Sequence, residues 1–103
     1  MKHRSVDIEQ GKDAVAVLAE AMVRLRTPVQ MQAFLEDLCT PAELEAMTDR
    51  WKVVPLLLEG LPYREIHDRT GVSVTTVGRV ARTLDRGAGG YAAAIKRRSA
   101  RAV

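Results

Sequence analysis

Two arginines, Arg79 and Arg82, stand three residues apart and follow a run of short side chains, Ser73-Val74-Thr75-Thr76. On a helix, residues three or four apart share a face. Hydroxyls and methyls would then occupy the first turn and long cations the next. That combination suits the major groove of duplex DNA, whose base edges present donors, acceptors and thymine methyls. Val74 and Thr75 have the size for thymine methyls, Thr76 for a base or phosphate hydrogen bond, and Arg79 and Arg82 the reach for guanine or phosphate. Ser73 falls where the helix begins, and free N–H groups favour phosphate there. Tyr63 and Arg64 open the preceding helix, placed for backbone contacts that position rather than specify. The plainer reading makes Ser73 a cap and the two threonines a solvated face; the pattern as a whole favours DNA.

Other chemistries find little material. His3 and His67 are far apart in sequence, and Cys39, the single cysteine, excludes an internal disulfide and a cysteine-based zinc site. Cys39 reads as a small hydrophobe rather than a redox sensor. Gly87-Ala88-Gly89-Gly90 has no strand before it and no Gly-Lys-Ser/Thr, so it is a turn and not a phosphate loop. No metal site and no catalytic set is expected. Charge supports a nucleic-acid partner. Residues 1–60 carry seven Lys/Arg against ten Asp/Glu, whereas residues 61–103 carry nine against three. A mildly acidic scaffold thus leads into a basic second half. Lys96, Arg97, Arg98 and Arg101 belong either to that basic surface or to a solvated tail.

These side chains must be held by helices, because apolar residues recur at helical and never at strand spacing. The 103 residues suit one domain, with flexible ends at 1–11 and 99–103 and a folded region over 12–98. A first helix is expected over about 12–26, with Val15, Leu18, Met22 and Leu25 inward. A second, about 28–37, follows the Thr27-Pro28 start signal and buries Met31, Phe34, Leu35 and Leu38. The third, about 41–59, opens on a Thr40…Glu43 capping box and turns Leu44, Met47, Trp51, Val54 and Leu58 inward, with Val53, Leu56 and Leu57 widening the apolar surface. A helix apolar on most of its circumference must be surrounded, which in so small a chain points to a second subunit. Pro55 is expected to bend or break this helix. The helix-turn-helix occupies 62–86, as helices over about 62–70 and 74–86 around Gly71. Ile66, Val77, Val80 or Ala81, and Leu84 face inward. A last helix, about 90–98, carries Tyr91, Ala94 and Ile95 inward. No apolar run approaches the roughly 18–20 residues of a membrane span, and the basic start lacks an apolar signal segment, so a cytoplasmic protein is expected.

Residues of about 34–95 resemble the Trp repressor superfamily, most closely its small Trp-repressor-related DNA-binding proteins. The resemblance runs from Phe34-Leu35-Glu36-Asp37-Leu38-Cys39-Thr40 through Arg50, Leu57-Leu58-Glu59-Gly60 and the helix-turn-helix to Gly89-Gly90-Tyr91. Generic helix-turn-helix proteins usually place alanine after the inward-facing isoleucine. Here His67 follows Ile66, and the Trp repressor family also uses a polar residue there. The resemblance implies an all-α, six-helix domain in an intertwined homodimer, acting as a sequence-specific double-stranded DNA-binding transcriptional regulator, a repressor.

It also implies a place for L-tryptophan. Arg50 and Arg79 match the arginines that sandwich the co-repressor, Thr40 lies near its carboxylate, and Leu38 and Cys39 supply carbonyls to its amino group. Val80, however, stands where the repressor has a glycine that makes room for the indole, and the segment from Gly60 to Gly71 is one residue shorter. A branched side chain in that slot costs about 1–3 kcal/mol of overpacking. The expectation is a reader that does not require tryptophan. Two alternatives stay open: a tryptophan-gated repressor, and a helical module that docks on a protein partner.

Overall fold

A computed structural model describes residues 13–95, and among them every regular element is helical. The expected flexible ends, the end of the last helix and the basic residues Lys96, Arg97, Arg98 and Arg101 lie outside the described residues. The chain divides at Thr40/Pro41 into two compact units.

In the first unit, α1 spans Ala14–Met22 and α2 spans Pro28–Leu38. Asp13 caps α1, its carboxylate accepting from the Val15 N–H at 3.0 Å. The helix ends four residues before the expected Arg26. The competing chemistry belongs to α2. Pro28 keeps Thr27 extended, at φ −132° and ψ 155°. Thr27 Oγ1 accepts from the Gln30 N–H at 3.1 Å, while Gln30 Oε1 reaches back to the Arg26 N–H at 2.8 Å. A continued α1 would need that N–H, so the start of α2 terminates it. Neither helix buries a residue completely within its own chain. Met22, Leu25, Met31, Phe34 and Leu35 are half-buried, but Val15 is 71% and Leu38 51% exposed. The apolar face that periodicity draws along these helices is only partly covered.

The second unit is built on α3, Pro41–Leu58, which runs unbroken through Pro55. Proline here removes a single N–H donor, and the fully buried Val53 and Val54 anchor the helix just ahead of it. The helix stops in a double turn: Gly60, at φ 84°, donates to the Leu57 carbonyl, and Leu61 donates to that of Leu56. Burial on α3 falls differently from the expectation. Val53 and Val54 are fully buried, with Leu56 and Leu57 packed beside them. Of the stripe expected to face inward, Leu44 is half-buried, while Met47, Trp51 and Leu58 are exposed, Leu58 at 56%. Trp51 does meet Tyr91, ring centres 6.1 Å apart and tilted by 36°.

Onto this helix fold α4, Tyr63–Thr70, and α5, Val74–Arg86. Ile66, Val72, Val77 and Val80 join Val53 and Val54 in one buried cluster, edged by Leu61, Leu84, Tyr91 and Ile95. Residues 90–95 begin α6; Tyr91 and Ile95 face the cluster, but Ala94, expected inward, is exposed. The turn between α4 and α5 is held bond by bond. Gly71 takes φ 80° and donates to the His67 carbonyl at 2.8 Å. Thr70 Oγ1 donates to the Ile66 carbonyl at 2.7 Å and accepts from the Val72 N–H at 3.0 Å. His67 Nδ1 lies 2.8 Å from the Val72 carbonyl. A carbonyl only accepts, so this nitrogen carries the proton and the ring ties α4 to the turn.

Two substitutions test this turn. No neighbour lies within 4 Å of a methyl placed on Gly71, so Gly71→Ala pays only for the left-handed backbone, about 1–2 kcal/mol in urea unfolding. His67→Ala leaves the Val72 carbonyl short of its donor and costs about 1 kcal/mol, whereas His67→Asn, whose amide sits near the Nδ1 position, recovers most of that loss.

Candidate nucleic-acid interface

Ser73, extended at φ −63° and ψ 150°, starts α5. Its hydroxyl oxygen accepts from the Thr76 N–H at 3.1 Å and its proton goes to Thr76 Oγ1, also at 3.1 Å. Ser73 is therefore a helix cap first, and Thr76 is partly engaged by it and half-buried. Val74, Thr75, Arg79 and Arg82 are exposed on the same helix whose other face supplies Val77 and Val80 to the core. This division is the amphipathic pattern of a helix seated on one side and free to meet a ligand on the other. Tyr63 and Arg64, both exposed, lie in the first turn of α4.

Arg64, Arg79 and Arg82 have no ion-pair partner among the described residues. Two cations elsewhere in the second unit are paired within their own helix. Arg69 pairs with Glu65 at 2.7 Å one turn back on α4, and Lys52 pairs with Asp49 at 3.5 Å on α3. Arg50, half-buried on α3, takes no part in that pairing. The cations on the outer face of α5 thus keep their charge available for an anion.

The cationic surface extends further than the sequence pattern suggested. An open groove of about 250 Å³ is lined by Arg79, Arg82, Thr83, Arg86 and Gly87. The three arginines at positions 79, 82 and 86 form one stripe because seven residues complete two helical turns. Arg86 was legible from this spacing, though it also lies 3.5 Å from Asp85, in a pair so exposed that water screens it.

The residues considered for tryptophan are distributed over both units. Leu38 ends α2, exposed; Cys39, half-buried, donates its N–H to the Leu35 carbonyl at 2.9 Å; Thr40 is exposed beyond it. Arg50, Arg79 and Val80 belong to the second unit, on α3 and α5. Val80 is fully buried among Val53, Val54, Ile66 and Val77. Among the described residues there is no group of three or more His, Cys, Asp or Glu that could hold a metal ion, and no helix long and apolar enough to cross a membrane.

Comparison with known proteins converges on one family. Residues 13–99 match the family described as Trp repressor protein. The uncharacterized protein YerC of Bacillus subtilis (strain 168) is 33% identical over 92 residues, covering 89% of this chain and 88% of that protein. The crystal structure of a candidate Trp repressor from Staphylococcus aureus superimposes with a TM-score of 0.78 at 29% identity, covering 89% of this chain and 93% of that one. With the helix-turn-helix, the exposed cations of α5 and this match over most of the chain, the protein belongs to the Trp repressor family of DNA-binding transcription regulators.

Proposed function

We propose that the protein is a sequence-specific repressor that binds duplex DNA as a homodimer and does so without tryptophan. The observation that carries the reading is the two-sidedness of α5. Val77 and Val80 fix the helix in the core, and Thr75, Arg79 and Arg82 stand outward, the arginines unpaired among the described residues. Arg79 is assigned to a base edge and Arg82 to the phosphate backbone, together with Tyr63 and Arg64; Val74, Thr75 and Thr76 offer short groups to the groove, and Ser73 chiefly holds the helix start.

Dimerisation is supported by the apolar surface left uncovered. The faces of α1 and α2 that periodicity marks as inward, and the Met47–Trp51–Leu58 stripe of α3, stay partly or largely exposed in one chain. A second copy offers the same surface and would cover it, as expected of a two-fold interface. Helix-turn-helix dimers, the Trp repressor itself among them, place their reading helices about 34 Å apart, one turn of DNA.

Independence from tryptophan is supported by Val80. Its side chain completes the cluster that seats α5 on α3 and α4, so that part of the helix needs no ligand to fill the space behind it. The partner is therefore duplex DNA and a second copy of the chain, with no cofactor, in a cytoplasmic setting.

Selection of bound duplexes from a random pool, with and without L-tryptophan, tests the whole reading: one enriched sequence, the same in both arms, is the expected result. Affinity should fall steeply with salt, since each neutralised phosphate contributes a slope of about −0.9. No duplex binding even at low salt would instead favour the protein-docking module. Arg79→Ala should cost about 1–3 kcal/mol on the selected sequence and relax its preference at one position; an equal loss on all sequences would reassign Arg79 to phosphate. Calorimetry on Val80→Gly should reveal tryptophan binding stronger than in the natural protein, provided a melt shows the variant folded. Unchanged heats would remove Val80 as the reason for ligand independence.

A further inference from the structure

Gly78 sits in the middle of α5, where glycine is unfavourable relative to alanine. Four other glycines have reasons within the fold. Gly60, Gly71 and Gly89 adopt positive φ, and a methyl on Gly87 would lie 2.5 Å from the Thr83 carbonyl oxygen. Gly78 has neither reason. Its φ is not positive, and a methyl placed there would lie 3.6 Å from Tyr63 Cε2 and 3.8 Å from Arg82 Nη1, ordinary contact distances. The fold would accept alanine and gain from it. No neighbour among the described residues fills the space, which leaves it open to something from outside the chain.

The residues around that space indicate what. Tyr63 brings an exposed ring with a phenolic hydroxyl, and Arg82 an exposed guanidinium without an ion-pair partner among the described residues. One offers an apolar surface and a donor, the other a fixed cation with several donors. Tyr63 opens α4, whose N-cap Pro62 makes no side-chain hydrogen bond, so the first N–H groups of that helix lack a side-chain acceptor at their cap. An apolar wall beside cationic donors fits a sugar next to a phosphate better than it fits a base edge.

We propose that Gly78, Tyr63 and Arg82 form a seat for one deoxyribose–phosphate unit of the DNA backbone, with Gly78 left bare so that the strand approaches the helix axis closely. This rests on the DNA-binding reading above. It adds that the depth at which α5 enters the groove is set at residue 78.

Gly78→Ala and Gly78→Leu test the seat, each measured for thermal stability and for affinity to the selected duplex and to an unrelated one. Gly78→Ala should raise the Tm by roughly 4–8 °C. It should also weaken binding by about fivefold or more, equally on both duplexes, and Gly78→Leu should weaken it further. Undiminished affinity in Gly78→Ala would overturn the seat while leaving the protein a DNA binder, as the natural protein's own binding in the same assay would show. A loss confined to the selected duplex would also overturn it, because a base edge and not the backbone would then occupy the space. A fall in Tm would show that the fold itself requires glycine and remove the premise. Failure of the natural protein to bind either duplex would instead bring down the underlying reading.

Discussion

The arrangement depends on one small aliphatic cluster. Val53 and Val54 of α3, Ile66 of α4, Val72 of the turn, and Val77 and Val80 of α5 are packed together without a buried polar group. Burying a side chain of this kind contributes roughly 1.5–3 kcal/mol, so six of them hold α4 and α5, whose isolated helices would be marginal in water, onto the longer α3. The cluster also aims the interface. Because Val77 and Val80 must face α3 and α4, Thr75, Arg79 and Arg82 must face away, and no further interaction is needed to present them. The hydrogen bonds of Thr70, Gly71 and His67 then narrow the angle between α4 and α5 to what the turn permits.

The same packing is what motivates the proposal of a reader that tryptophan does not gate. A reading helix held loosely behind its cationic face would need something to fill the gap; here Val80 occupies the core directly. The proposed homodimer and the proposed DNA contact use different parts of the chain: the open apolar surfaces of α1, α2 and the outer stripe of α3 for the first, and the exposed faces of α4 and α5 for the second. The charge distribution follows that division, acidic over residues 1–60 and basic beyond.

Much of the candidate site's local geometry was legible in the sequence. Ser73 as cap, Gly71 as the left-handed residue, Ile66, Val77 and Val80 as the inner face and Arg79 and Arg82 as the outer one all follow from side-chain type and a 3.6-residue period, which act within one or two turns. Arg86 was within reach of the same reasoning, as the third arginine of a two-turn stripe. Gly78 was visible as a glycine, but only the packing of Tyr63 and Arg82 around it decides that a methyl would fit there.

The sequence by itself determined that the chain is helical, where α2 to α5 begin, and which face of α5 carries cations, because caps, proline and amphipathic spacing are local properties. Tertiary structure decided which apolar residues the chain covers alone. On α3 nearly the whole circumference is apolar, so periodicity cannot choose between Val53 with Val54 and the Met47–Trp51–Leu58 stripe; α4 and α5 pack on the first pair and leave the second open. It also decided where α1 stops, since the Arg26 N–H is claimed by Gln30 of the next helix. In both cases two local preferences compete for the same group, and a neighbouring element settles which is satisfied.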